Sequence, residues 1–302
     1  MTNPLAPTAP AEARSWKIGD IEVTALLDGY SSMPTAATLM GFDDEEGKAA
    51  AARAYRKHDA ESMVLCVNGY LIRTGGRVIA VDTGAPGFLA PTVGAWHQSL
   101  GLAGVTPYEV DTVFLTHFHG DHLGGLTALG EDGPTRLLPK AQMIAAEAEW
   151  DHFHDDAVLP KLGEQMQRAY GAARMMLAPY AEQREMLDIA RETEIAPGVT
   201  AVPMAGHTPG HMGLRVTSGG ESLIIWGDVI HTPVYQFTQP DWTVAFDTDP
   251  VAARATRWRV LDEAAATGTM VAGMHLDFPA MGHVERDGGV YRYIQAPRQF
   301  GA

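Results

Sequence analysis

Residues Thr116-His117-Phe118-His119-Gly120-Asp121-His122 directly follow the apolar run Val113-Phe114-Leu115. This stretch constrains the fold more than any other. Histidine is the commonest metal ligand among side chains, and a loop at the end of a strand can splay neighbouring side chains in different directions. His117 and His119, two apart on an extended stretch, can point the same way. Asp121 and His122 then turn toward a second point as the chain enters Leu123-Gly124-Gly125. The spacing predicts a strand, a ligand-bearing turn and a helix, with two metals side by side. A functionless surface cluster accounts poorly for four ligand-type residues in one turn.

The bounds set by the whole chain agree with a soluble globular protein. The 302 residues are long enough for a large core, and 46% apolar with 20% charged residues is an ordinary globular balance. The net charge of −15 repels polyanions, so a nucleic-acid partner is not expected. Cys66 is the only cysteine, which excludes an intrachain disulfide and suits a small core filler. Residues 1–15, rich in Ala, Pro and Thr, read as a flexible tail without a secretory apolar segment. No stretch approaches the roughly 20 apolar residues of a membrane span. The expected location is cytoplasmic, without a membrane partner.

Residues 16–302 read as one domain. Strands are predicted within Trp16–Leu27, at Met63–Ile72 and Arg77–Val81 around the Gly75-Gly76 turn, at Thr112–Leu115, and at Ala141–Ala146. Helices are predicted near Pro91–Leu100 and Pro250–Ala266. The long polar stretch at about 147–191 reads as a helical insertion flanking the site. Strands resume at Val199–Val202, Met212–Val216, Leu223–Trp226 and Met270–Gly273. Two runs of strands, each followed by helices, predict an α/β protein built as a four-layer αββα sandwich with the metals at the seam.

The turn motif reads His-x-His-x-Asp-His, and further landmarks follow in order: Asp82 in Ala80-Val81-Asp82-Thr83-Gly84, His207 and His211 in Gly206-His207-Thr208-Pro209-Gly210-His211, Asp228 in Trp226-Gly227-Asp228, and His275 after Met274. This set resembles the metallo-β-lactamase superfamily over residues 16–302. The run from His275 to His283 looks most like the methyl parathion hydrolase and lactonase branch. The resemblance implies that His117, His119 and His207 hold one metal, that Asp121, His122 and His275 hold the other, and that Asp228 bridges them. Nitrogen and oxygen ligands without thiolate suit two Zn²⁺, and Mn²⁺, Co²⁺ and Fe²⁺ accept the same set. Paired ions can share a hydroxide, lower its pKa and polarise a carbonyl or phosphoryl oxygen.

Around this centre, Asp82 is expected either to fix the tautomer of a ligand imidazole or simply to cap its turn. His211 is expected to steady the His207 loop. Asp121 and His231 are the catalytic candidates. His231 stands where the resembled acyl-homoserine lactonases carry a tyrosine, so it either donates a hydrogen bond to the substrate or lies in solvent beside the site. His152 and His154 read as solvated. Phe118, Trp150, Phe153, Phe237 and Phe278 are the expected pocket walls, with Trp242 and Phe246 as further aromatic candidates.

An apolar mouth without a basic anchor favours an uncharged small-molecule substrate. The expected activity is hydrolysis of apolar esters or lactones, acyl-homoserine lactones among them, with phosphotriesters as a side activity. Glutathione-thioester hydrolysis, β-lactam hydrolysis and iron-dependent dioxygenation are the alternatives on the same fold. A homodimer is left open.

Overall fold

The computed structural model describes residues 11–131 and 133–299. Its frame is two seven-stranded sheets. The first runs in the spatial order Glu12–Ile18, Ile21–Pro34, Ser62–Thr74, Arg77–Val81, Thr112–Phe114, Gln142–Ala146 and Arg184–Leu187. The second runs Thr193–Ala196, Val199–Pro203, Met212–Ser218, Glu221–Ile225, Met270–Ala272, Met281–Asp287 and Val290–Gln295.

Alternation along the strands decides which side chain enters which core, because successive residues point to opposite faces. Val23, Ala25, Tyr70, Ile72, Ile79, Val81, Phe114 and Ile144 face the second sheet and meet Val199, Ala201, Leu214, Val216 and Ile225. Their neighbours Leu71, Ala80, Val113, Met143 and Ala145 face the other way, onto the helices Trp96–Leu102 and Glu164–Leu177. The helix Pro250–Thr267 covers the second sheet with Val260, Leu261 and Ala264. The layers therefore run helix, sheet, sheet, helix, the expected sandwich. Asp249 caps that last helix by accepting from the N–H groups of Val251 and Ala252, and Gly268 ends it at φ +68°.

Two boundaries differ from expectation. Residues 12–15, assigned to a flexible tail, belong to the strand Glu12–Ile18, whose full length pairs with Ile21–Leu27; residues 1–10 of that expected tail lie outside the described residues. The expected helical insertion contains the helices Glu147–His154 and Glu164–Leu177, but also the strand Arg184–Leu187, which pairs in parallel with Gln142–Ala146. Four residues carry no turn signal that would mark so short an edge strand; the neighbouring strand supplies its backbone partners.

Five connections place polar residues together. Arg77–Val81, Thr112–Phe114, Val199–Pro203, Glu221–Ile225 and Met270–Ala272 end just before Asp82, His117, His207, Asp228 and His275. In sheets of this kind the carboxyl ends of the strands form the crevice where ligands bind.

Candidate metal centre

The turn after Thr112–Phe114 is anchored by Asp82. Its carboxylate accepts from the Thr116 N–H at 2.8 Å, the Thr116 hydroxyl at 2.7 Å and His122 Nδ1 at 2.7 Å. Asp82 is fully buried and adopts φ +52°, a left-handed conformation that Asp tolerates better than most residues. One side chain thus fixes both ends of the motif. It also settles the choice left open by the sequence, since Asp82 contacts an imidazole of the cluster.

Hydrogen-bond partners then fix the tautomers. The His122 Nδ1–H donates to a carboxylate, and the His275 Nδ1–H donates to the carbonyl of Cys66 at 2.7 Å. The His207 Nδ1–H donates to Asp247 at 2.8 Å. The Thr116 hydroxyl spends its proton on Asp82, so at 3.1 Å it accepts from His117 Nδ1. In each ring the Nε2 lone pair is left facing inward. His117 Nε2 and His207 Nε2 lie 3.0 and 2.9 Å from His119 Nδ1.

Ligand atoms of His117, His119 and His207 form one group within 4.8 Å of one another, and those of Asp121, His122 and His275 form a second. Asp228 Oδ2 reaches both, at 3.7 Å from His117 Nε2, 3.4 Å from His207 Nε2, 3.4 Å from His122 Nε2 and 3.1 Å from His275 Nε2. The His122 Nε2 and Asp228 Oδ1 atoms are buried with no hydrogen-bond partner among the described residues. Converging lone pairs and carboxylate oxygens need a cation between them, so the residues fit a pair of divalent ions with N/O donors.

The electrostatics agree. Burial pushes the His117 and His207 imidazoles well below the ordinary histidine range, and holds His119 down to about 4. Burial works the same way on His122 and His275, but the carboxylate of Asp228, with Asp121 and, for His122, Asp82, outweighs it and raises both. Burial would raise Asp228, yet His275, His122 and His117 hold it well below the usual carboxylate range. The pull that favours protons on those rings is the pull a metal ion would feel.

His211 has no lone pair to spare. Its Nδ1–H donates to the Met204 carbonyl at 2.8 Å and its Nε2 accepts the Asp228 N–H at 3.0 Å, so it holds the loop of Asp228. His231 departs from the solvent-exposed reading. It is fully buried, its Nε2 lies 3.3 Å from Asp228 Oδ2, and both ring nitrogens are without a hydrogen-bond partner among the described residues. The Gln236 side chain, accepting the His231 N–H at 2.7 Å, draws that segment inward.

The expected pocket walls largely lie elsewhere. Phe118 and Phe153 are buried beneath the first sheet and contact each other edge to face. Trp150 is stacked between His154 and the Arg184 guanidinium. Phe237 stacks on Tyr293 and lines a separate cavity of about 150 Å³ with Arg53 and Arg56, and half-buried Phe278 packs on the central core. These aromatics serve the cores because apolar area is buried wherever the sheets meet helices. Phe153 still meets the cluster from beneath, edge to face on His119 at 6.2 Å, and Phe246 borders it with centroids 6.2 Å from His119, 5.8 Å from His207 and 5.3 Å from His231. His152 and His154 are half-buried rather than solvated, hydrogen-bonded to the Tyr170 hydroxyl and the Trp150 carbonyl. His283, on the strand Met281–Asp287, meets the Gly268 carbonyl away from the cluster.

Three contributors escaped the sequence reading. Asp247 orients His207, and its place before a helix-capping Asp249-Pro250 pair carries no sign of that role. The Asn68 side chain donates to the carbonyls of Met274 and Leu276, strapping both sides of His275. Glu149, fully buried, accepts from the N–H groups of Phe118 and Gly210 at 2.9 Å each. The one available signal was a pair of acids, Glu147 and Glu149, in the three residues after an apolar strand, and nothing local tells the two apart.

This sandwich, with its His and Asp cluster at the strand ends, defines a metallo-β-lactamase fold. Residues 64–275 match the metallo-beta-lactamase superfamily, and the chain belongs to it. Among curated proteins it is 27% identical over 162 residues to the uncharacterized protein YobT of Bacillus subtilis, covering 54% of this chain and 61% of that one. The chain spans about three-fifths of the length of the curated relatives it matches. Among solved structures it resembles AbOPH, a hydrolase in the beta lactamase superfamily, with TM-score 0.87 and 26% identity over 97% of this chain and 100% of that one. It also resembles AidC, a dizinc quorum-quenching lactonase solved with the product N-hexanoyl-L-homoserine, with TM-score 0.86 and 24% identity over 96% of this chain and 99% of that one. No helix among the described residues is long and apolar enough to cross a membrane.

Proposed function

We propose that this chain is a binuclear metal-dependent hydrolase of small, uncharged esters or lactones, acyl-homoserine lactones among them, with phosphotriesters as a side activity. The observation that carries the reading is the pair of donor triads joined by Asp228, at the carboxyl ends of strands from both sheets. His117, His119 and His207 would hold one ion and Asp121, His122 and His275 the other, with Asp228 between them. Zn²⁺ suits the donors best. Bound there, two divalent ions supply Lewis acidity and acidify water enough for it to attack at neutral pH.

The protein's own groups complete the site. Asp121, whose side chain is 25% exposed, is the carboxylate of the cluster that solvent and substrate reach, which suits it to accept the proton lost by the attacking water and pass it to the leaving alkoxide. His231, buried beside Asp228 with both ring nitrogens unpartnered among the described residues, would donate to the substrate's carbonyl oxygen once substrate enters the cluster. Phe246 offers an apolar wall for an acyl group. The lactonase reading is supported by the name of the structural neighbour AidC, a dizinc quorum-quenching lactonase, and the hydrolase reading by that of AbOPH.

Metal quantification followed by a panel of lactones, aryl esters, phosphotriesters and a glutathione thioester tests this. Two equivalents of metal with preference for the lactones or esters are expected. One equivalent of iron, or a wide preference for the thioester, would overturn it.

A further inference from the structure

The triad His117, His119 and His207 is assembled from two different sheets: His117 and His119 follow the strand Thr112–Phe114 of the first, and His207 follows Val199–Pro203 of the second. Independent loops ending separate sheets shift relative to one another unless something ties them. One tie is the backbone bond from the Met212 N–H to the Thr116 carbonyl at 2.9 Å. Another comes from a third element, the helix Glu147–His154. Glu149 Oε1 accepts the N–H of Phe118, the residue between the two histidines of the motif, at 2.9 Å, and Oε2 accepts the N–H of Gly210, three residues after His207, at 2.9 Å.

Building on the metal-centre reading above, we propose that Glu149 is the positioning residue of the His117/His119/His207 site, a buried carboxylate that clamps its two loops and sets that site's metal affinity without touching the metal. Two features favour a built clamp over a chance contact. Glu149 is fully buried, and it uses one oxygen for each loop. Gly210 is also pressed so closely on the helix that a Cβ there would lie 2.3 Å from the Glu149 nitrogen, which leaves room for glycine alone. The second triad, Asp121, His122 and His275, is held instead by Asp82 and the Cys66 carbonyl, so a lesion at Glu149 should fall on one site of the two.

Glu149→Gln keeps the shape but turns an amide NH₂ toward one of the two N–H donors. Chelator-stripped protein is titrated with Co²⁺ alone, read by d–d absorption and by chelator competition. Wild type should take two tight equivalents. In Glu149→Gln one should stay tight while the other weakens about 10–100-fold, the usual cost of disturbing a group that orients a ligand. Gly210→Ala, which pushes the same loop off the helix, should reproduce this loss. Tyr170→Ala loosens the same helix by removing the ring stacked on Phe153 while leaving the carboxylate in place, and should keep both equivalents tight. A cycle with His119→Ala assigns the site, since Glu149→Gln should then cost nothing further. Two tight equivalents in Glu149→Gln, or an equal loss in Tyr170→Ala, overturns the clamp alone. A wild-type chain that binds fewer than two equivalents overturns the metal-centre reading with it.

Discussion

His211 accepts the backbone N–H of Asp228 on Nε2 at 3.0 Å while donating from Nδ1 to the Met204 carbonyl, so an imidazole inside a histidine cluster is wholly spent on backbone. Burial pushes this ring down to about 4, and the neutral form is the one both bonds require. His211→Ala leaves a buried N–H and a buried carbonyl unpaired. Each orphan costs about 1–3 kcal/mol, so the metal-free protein should lose about 2–6 kcal/mol. Calorimetry checks the loss, and metal content should still reach two equivalents at saturating metal. A content of one would make His211 a ligand.

Asp228 is the carboxylate both triads share. Asp228→Ala should bring lactone hydrolysis to background and leave the strands folded, since no core contact depends on it. Metal should stabilise the wild type by mass action, by about 2.7 kcal/mol at a free concentration about 100 times Kd. The unfolding temperatures of loaded and chelator-treated protein should therefore differ widely in the wild type and little in Asp228→Ala. Full activity in the variant would sink the bridging role.

Phe246 and Trp150 separate pocket from scaffold. Phe246 borders three imidazoles of the cluster, whereas Trp150 is stacked between His154 and Arg184. Phe246→Ala should raise KM for lactones with long acyl chains about 10-fold or more, in keeping with the roughly 1–3 kcal/mol of one lost apolar contact. Trp150→Ala should lower the unfolding temperature and leave KM within about twofold. Steady-state kinetics on short and long acyl chains reads both, and the reverse pattern would move the pocket to the helix.

Asp28 supplies a pH signature away from the metals. Its carboxyl accepts from the N–H groups of Ala85, Gly94 and Trp96, and burial, against those bonds, raises it to about 6 from 3.8. Between those values the folded chain holds a proton that the unfolded chain has lost, so this group's contribution to stability falls as pH rises from about 4 to about 6. The shift corresponds to about 3 kcal/mol. Unfolding of chelator-treated wild type and Asp28→Asn across pH 4–7 should show the wild type losing stability relative to the variant as pH rises. Parallel curves would remove Asp28 as the cause.

Much of this molecule was written locally. The strands show as apolar runs, and the metal-binding candidates show as polar residues three to eight positions beyond their ends, so His117 through His122, His207, Asp228 and His275 could be named before any contact was known. Alternation also predicted two faces per strand, and the four layers follow from it. These are short-range properties: a strand's period and a turn's composition are set by residues adjacent in the chain.

What needed the tertiary structure is every relationship between sheets. Asp247 and Glu149 look like ordinary acids at a helix start, and become an orienting partner and a clamp only when a second loop arrives with an N–H to donate. Phe237 and Phe246 stand nine residues apart, on either side of the two-residue strand Thr243–Val244; no local pattern says that the first turns to the core and the second to the imidazoles. Even His231, readable as a solvent-facing loop residue, is buried because Gln236 draws its backbone inward and Phe246 and His275 close over it. Periodicity assigns a face to each strand residue, but a loop has no period. The direction of its side chains is set by whatever distant surface packs against it, and that surface exists only once the two sheets have closed.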